Sequence, residues 1–242
     1  MQKKRPKHSR FVFSLIVLGF LAGIVAYFRT DPSQRTIQVD GETRRYLFYE
    51  PDHFEGELPL LLVFHGFSGT AEGMQKSSLL HELVNRRKFF LAYLNGNPTW
   101  HRPGPGRPNP DVDFFDQLCD HLENQYRIDS SRIYVTGMSM GGDFAIRLAG
   151  LRSDRIAAVA SQGMLTSDVV DSQRPFPLLV VVGTEDDRVP ESWFPRVPDA
   201  FRERGHEVEV IRPVGVGHRW HVPLNDRLWT FLAAHRLKTE KR

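Results

Sequence analysis

The sequence predicts an α/β domain built on a mostly parallel sheet with helices on both faces, and three observations carry that prediction. Apolar runs near residues 59–64, 89–94, 131–136, 156–161, 177–183 and 207–212 have the length and the β-branched content of buried strands. Helical spacing recurs near 72–87, 113–126, 140–151, 193–204 and 223–236. Strands alternating with helices fit parallel pairing, because each parallel neighbour needs a crossover. The third observation is at the front of the domain, where residues 36–49 surround an Asp40-Gly41 pair suited to a two-residue turn. An N-terminal antiparallel hairpin is therefore expected.

The elements between these runs have their own physical signals. Residues 114, 115, 118, 119 and 122 are apolar at helical spacing, which assigns Cys119 to the core as a small hydrophobe. Residues 102–110 alternate Pro and Gly with polar residues and should form a stiff surface loop, neither helix nor central strand. Fifteen residues, 162–176, separate two of the predicted strands. That leaves no room for a sizeable cap domain, so any site at the strand ends should be an open cleft.

The first 35 residues read differently. Residues 11–28 carry no charge and follow Lys3, Lys4, Arg5, Lys7 and Arg10. As a helix this run would be roughly 27 Å long, close to the apolar thickness of a bilayer. Residues 1–10 are thus expected as a basic cytoplasmic region, 11–28 as a transmembrane signal-anchor or a signal peptide, 29–35 as a linker and 36–242 as the catalytic domain. The run exceeds an ordinary signal-peptide core and no small-residue cleavage site follows it. A membrane-anchored protein with its catalytic domain outside the cytoplasm is expected; secretion after cleavage is the alternative. Residues 1–30 hold six of the 32 Lys and Arg and no acid, so the remainder has 26 bases against 29 acids, a net charge of −3. No basic face for nucleic acid survives that subtraction. One cysteine permits no internal disulfide. No spacing of His, Cys or carboxylates suggests a metal, and no cofactor is expected.

The chemistry is concentrated at strand ends. Gly137-Met138-Ser139-Met140-Gly141 follows the strand at 131–136 and precedes a helix, which is the setting of a nucleophile elbow. The strand at 177–183 leads to Glu185, Asp186 and Asp187, three carboxylates of which one could orient a histidine. The strand at 207–212 leads to His218 and His221, rival bases. The strand at 59–64 leads to His65-Gly66-Phe67, where backbone N–H groups of Phe67 and Met140 could bind an oxyanion. Ser, then acid, then His is the chain order of an α/β-hydrolase fold. His65 is expected to brace its loop. Trp100, Trp193, Phe194 and Trp220 lie in or near loops on this side, and Trp100 and Trp220 are candidate substrate contacts.

Arg45-Tyr46-Leu47-Phe48-Tyr49-Glu50-Pro51, residues 61–66, 69–74 and 111–115, the elbow and Gly217-His218-Arg219-Trp220 together resemble the feruloyl esterase and poly(3-hydroxybutyrate) depolymerase group of α/β-hydrolases. The resemblance covers roughly residues 40 to 235. It implies a serine esterase acting through an acyl-enzyme on extracytoplasmic or polymeric esters, such as feruloyl or acetyl esters of polysaccharides or hydroxyalkanoate polyesters. In that group the acid lies in a G-T-x-D-x-x-V-P loop, which selects Asp186. The histidine follows a glycine with an aromatic close behind, which selects His218. Paired cysteines, common in the group, are missing here. A catalytically silent binding module and a serine peptidase of the same fold are the alternative functions.

Overall fold

The computed structural model describes residues 33–238. The apolar run 11–28 and its flanks to residue 32 lie outside the described residues, and among those described no helix is long and apolar enough to cross a membrane.

Eight strands form one sheet: β1 (Gln34–Val39), β2 (Glu42–Tyr49), β3 (Leu58–Phe64), β4 (Phe90–Leu94), β5 (Ile128–Met138), β6 (Ala158–Gln162), β7 (Leu178–Val181) and β8 (Val208–Ile211). Their spatial order is β1-β2-β4-β3-β5-β6-β7-β8. Strands β3 to β8 run parallel, and β2 pairs antiparallel with β4. The β1–β2 turn places Asp40 at φ 48° and Gly41 at φ 85°, the left-handed geometry that Asp-Gly supplies in a tight hairpin.

Helices cover both faces, and the alternation of side chains along β3 shows how. Leu60, Leu62 and Phe64 join a core with Phe114, Phe115 and Cys119 of α3 (Pro110–Gln125), Phe144 and Leu148 of α4 (Met140–Leu151) and Phe201 of α5 (Arg196–Glu203). Leu61 and Val63 join a second core with Met74 of α1 (Ala71–Ser78), Val84 of α2 (Val84–Arg87) and Leu228 and Trp229 of α6 (Asn225–Ala233). Period-two alternation thus feeds two cores from one strand. Cys119 is fully buried, and that burial pushes its thiol pKa well above the usual range.

Several helix boundaries differ from expectation. The helix expected over 72–87 breaks at Leu79, which takes φ 54°. The break is supported by side chains: the hydroxyl of Ser78, at the end of the helix, accepts the Leu80 N–H, and that of Tyr93, on β4, accepts the His81 N–H. α3 starts earlier than expected because Asn109 caps the N–H groups of Asp111 and Val112, with Pro110 in the first turn. Residue 110 therefore belongs to a helix, not to the loop. α5 starts after Pro195, which holds Phe194 in an extended conformation. Residues 163–177 contain neither helix nor strand, so no cap interrupts the fold there.

A buried ion pair fixes the loops next to the site. Arg44 on β2 donates to Asp111 at 2.6 Å and to the carbonyls of Asn95 and Pro110. The backbone N–H of His101 donates to the same carboxylate at 2.7 Å. One carboxylate therefore holds β2, the 95–101 loop and the start of α3 together.

Candidate active site

Ser139 sits between the end of β5 and the start of α4 at φ 54° and ψ −121°. A non-glycine residue held there is strained by about 1–3 kcal/mol, which the surroundings must offset. The Ser139 N–H donates to the Gln162 carbonyl at 2.9 Å, and the Ser139 carbonyl accepts from Gly142 and Asp143. The two flanking glycines are needed for close approach. A Cβ on Gly137 would collide with the Gly141 carbonyl, and one on Gly141 with the carbonyls of Phe64 and His65.

The loops after β7 and β8 bring the other groups. His218 Nε2 lies 2.9 Å from Ser139 Oγ. Its Nδ1 lies 3.0 and 2.9 Å from the two carboxylate oxygens of Asp186. The Asp186 side chain is 1% exposed and also accepts the N–H of Arg188 at 3.0 Å. Glu185 and Asp187 are exposed. The two loops are tied by the Glu185 N–H on the Val216 carbonyl at 3.0 Å. His221 is not hydrogen-bonded to the serine; its backbone N–H donates to the Gln162 side chain. An imidazole so placed can take a proton from the serine hydroxyl while the carboxylate holds its far N–H.

Phe67 lies in the turn after β3, closed by the Gly69 N–H on the Gly66 carbonyl at 3.0 Å. A turn closed in this way leaves the second residue's N–H outside its own hydrogen bond. The turn abuts the serine, since a Cβ on Gly66 would lie 3.6 Å from Ser139 Cβ. Met140 opens α4, where an N–H has no carbonyl partner within the helix. Both amides are thus available to a developing negative oxygen.

His65 braces this turn. Its Nδ1–H donates to the Gly66 carbonyl at 2.7 Å and its Nε2 accepts the Gly96 N–H at 2.9 Å. Those bonds require the neutral ring, and burial lowers its pKa from the ordinary value of 6.5. A group whose folded pKa is depressed stabilises the fold above its unfolded pKa and loses that contribution as pH falls towards the folded value. Urea midpoints should therefore drop between pH 7 and pH 5.5. A His65→Gln variant should show a shallower drop, with buried His206, also lowered by desolvation, supplying part of the remainder. An unchanged slope in that variant would exclude His65 as a contributor.

The tryptophans depart from expectation. Trp100 is 4% exposed, donates to the His65 carbonyl at 2.8 Å and packs on Phe64 and Phe144. Trp220 is 6% exposed and donates to Asn225 Oδ1 at 2.8 Å. Neither presents a face to a substrate. Trp193 and Phe194 pack against the core, and the Arg212 guanidinium covers the Phe194 ring. A loop position says nothing of where an indole points when its N–H finds a partner inside. The exposed aromatic on this side is Phe67, at 70%. Among the described residues, no three His, Cys, Asp or Glu side chains gather as metal ligands.

Residues 108–236, which contain the elbow and the loops of Asp186 and His218, match the dienelactone hydrolase family. The chain belongs to that family. Its relatives include NocK of Nocardia uniformis subsp. tsuyamanensis, which carries an esterase name. The two are 36% identical over 168 residues, 63% of this chain and 48% of NocK. The bifunctional acetylxylan esterase/xylanase XynS20E of Neocallimastix patriciarum is 30% identical over 151 residues, 61% of this chain and 22% of XynS20E. The matched part of this dienelactone hydrolase family member is thus about half of one relative and under a quarter of the other. Among solved structures, Est1E of Butyrivibrio proteoclasticus aligns with a TM-score of 0.63 at 17% identity, over 84% of this chain and 98% of Est1E, and shares its fold.

Two features escaped the sequence reading: the Arg44–Asp111 pair and the role of Gln162 under the elbow. The first joins residues 67 positions apart and leaves no periodic signal. The second had one signal, a polar residue directly after an apolar strand.

Proposed function

We propose that this protein is a serine carboxylic-ester hydrolase, and the continuous hydrogen-bond chain from Ser139 through His218 to Asp186 carries that reading. Ser139 Oγ attacks the ester carbonyl carbon as His218 Nε2 takes its proton. The carbonyl electron pair moves onto oxygen, facing the N–H groups of Phe67 and Met140. Collapse breaks the bond to the alcohol, which leaves with the proton from His218, and the acyl group stays on Ser139. Water then attacks, gives its proton to His218, and the acid departs as Ser139 recovers its hydrogen. Asp186 holds the imidazole in the tautomer this needs and stabilises the imidazolium.

The uncapped 163–177 segment and the exposed Phe67 ring support a substrate whose ester is carried on something large. Feruloyl or acetyl esters of polysaccharides, or hydroxyalkanoate polyesters, fit that description, and the acetylxylan esterase name of XynS20E supports the first group. The basic residues before the apolar run 11–28 support export, with the run kept as a membrane anchor.

The test is labelling of the full chain with a fluorophosphonate, mass mapping of the adduct and a p-nitrophenyl acetate assay. One adduct on Ser139 with turnover is expected. A folded protein that takes no label and shows no turnover would refute the reading.

A further inference from the structure

Gln162 is the last residue of β6 and touches both halves of the candidate relay. Its backbone carbonyl accepts the Ser139 N–H at 2.9 Å, and its side-chain Oε1 accepts the His221 N–H at 2.9 Å. The first bond secures the strained elbow. The second secures the loop that carries His218, three residues before His221. The next residue, Gly163, runs directly beneath the base: a Cβ there would lie 3.3 Å from His218 Cε1. The end of β6 is therefore a floor under the serine and the imidazole together.

The chemistry of the amide is informative. Gln162 is 1% exposed, and its Nε2 is buried with no hydrogen-bond partner. A buried donor left unpaired is unfavourable, and a methionine of similar length would fill the same space without it. Turning the amide over does not help, because that would set its NH₂ against the His221 N–H. Packing alone thus gives no reason for glutamine, whereas an acceptor aimed at the base loop does.

We propose that Gln162 is a positioning residue for the relay. Its side-chain oxygen sets the separation of His218 Nε2 from Ser139 Oγ through the His221 backbone. The inference rests on the hydrolase reading above. Proton transfer is sensitive to that separation, while substrate binding on the open face is not.

The experiment compares the wild type, Gln162→Met, Gln162→Glu and Ser139→Ala on p-nitrophenyl acetate from pH 5 to 9, with thermal melts of each. Gln162→Met loses the acceptor and should lower kcat about tenfold, with KM within twofold. Gln162→Glu keeps an acceptor and should recover most of that loss. Its carboxyl group, bonded to the loop that carries the imidazole, should also move the acid limb of the profile to higher pH. Wild-type kcat in a folded Gln162→Met overturns the proposal. So does an equal loss in Gln162→Met and Gln162→Glu with similar melts, which marks a packing role. If Gln162→Met does not fold, Gln162→Glu decides: kcat within threefold of wild type with a shifted acid limb supports the proposal, and a depressed kcat with an unshifted limb overturns it. Failure of the hydrolase reading itself is separate, since wild-type turnover would then equal that of Ser139→Ala.

Discussion

Replacing Ser139 by alanine is expected to lower kcat on p-nitrophenyl acetate by about 10⁴- to 10⁶-fold, as the loss of a nucleophile does in other triads. The substitution removes one oxygen whose partner in the structure is His218 Nε2 at 2.9 Å. The Cβ stays, so the positive φ of the elbow is no worse than before, and the N–H still reaches the Gln162 carbonyl. Folding should therefore hold, with stability within about 0.5 kcal/mol of wild type. The remaining rate should come from substrate held against the Phe67 and Met140 amides, which need no serine oxygen. Two readouts check this: steady-state turnover and the burst of p-nitrophenol that an acyl-enzyme produces. If Ser139→Ala kept turnover within tenfold of wild type, the nucleophile would have to be sought elsewhere.

Much of the fold was legible in the sequence because its signals are local. The apolar runs gave the parallel strands, since a strand covered on both faces needs apolar residues at every position, and β3 is buried along its whole length. Asp40-Gly41 gave the hairpin through its preference for positive φ. The helix breaks were not legible in the same way. Ser78 and Tyr93 take the N–H groups that would otherwise continue the helix at 80 and 81, and Tyr93 belongs to a different strand. Periodicity cannot anticipate a partner that arrives through tertiary contact.

The candidate site divides along the same line. Ser139 and the loops of Asp186 and His218 follow strand ends, and parallel strands deliver their carboxyl ends to one edge of the sheet. Chain order was therefore enough to expect a serine, an acid and a histidine together, while the family resemblance chose Asp186 and His218 among their neighbours. The direction of a side chain is decided by what surrounds it. Trp100 finds the His65 carbonyl and Trp220 finds Asn225, and both turn inwards, while the Phe67 ring, in the turn after β3, is exposed. Loop position pointed to Trp100 and Trp220 as substrate contacts, and their burial argues against that choice.

The acidic loop gives the second large effect. Asp186→Asn is expected to lower kcat by about 10⁴-fold, whereas Asp187→Asn should stay within twofold of wild type. The difference follows from which oxygens are already committed. One Asp186 oxygen accepts the Arg188 N–H at 3.0 Å and lies 3.0 Å from His218 Nδ1, and the other, free of Arg188, lies nearer to Nδ1 at 2.9 Å. An asparagine must keep its carbonyl oxygen on Arg188, since its NH₂ cannot face that N–H. The NH₂ is then turned towards the imidazole and forces Nδ1 to become an acceptor. The ring proton moves to Nε2, where it points at Ser139 Oγ, and the ring can no longer take the serine's proton. Asp187 is exposed and one position further on, so its neutralisation removes a solvated charge and leaves the tautomer alone. The measurement is kcat for both variants at pH 7 to 9, with melts to show that each folds. A large loss in Asp187→Asn and a small one in Asp186→Asn would assign the orienting carboxylate to residue 187.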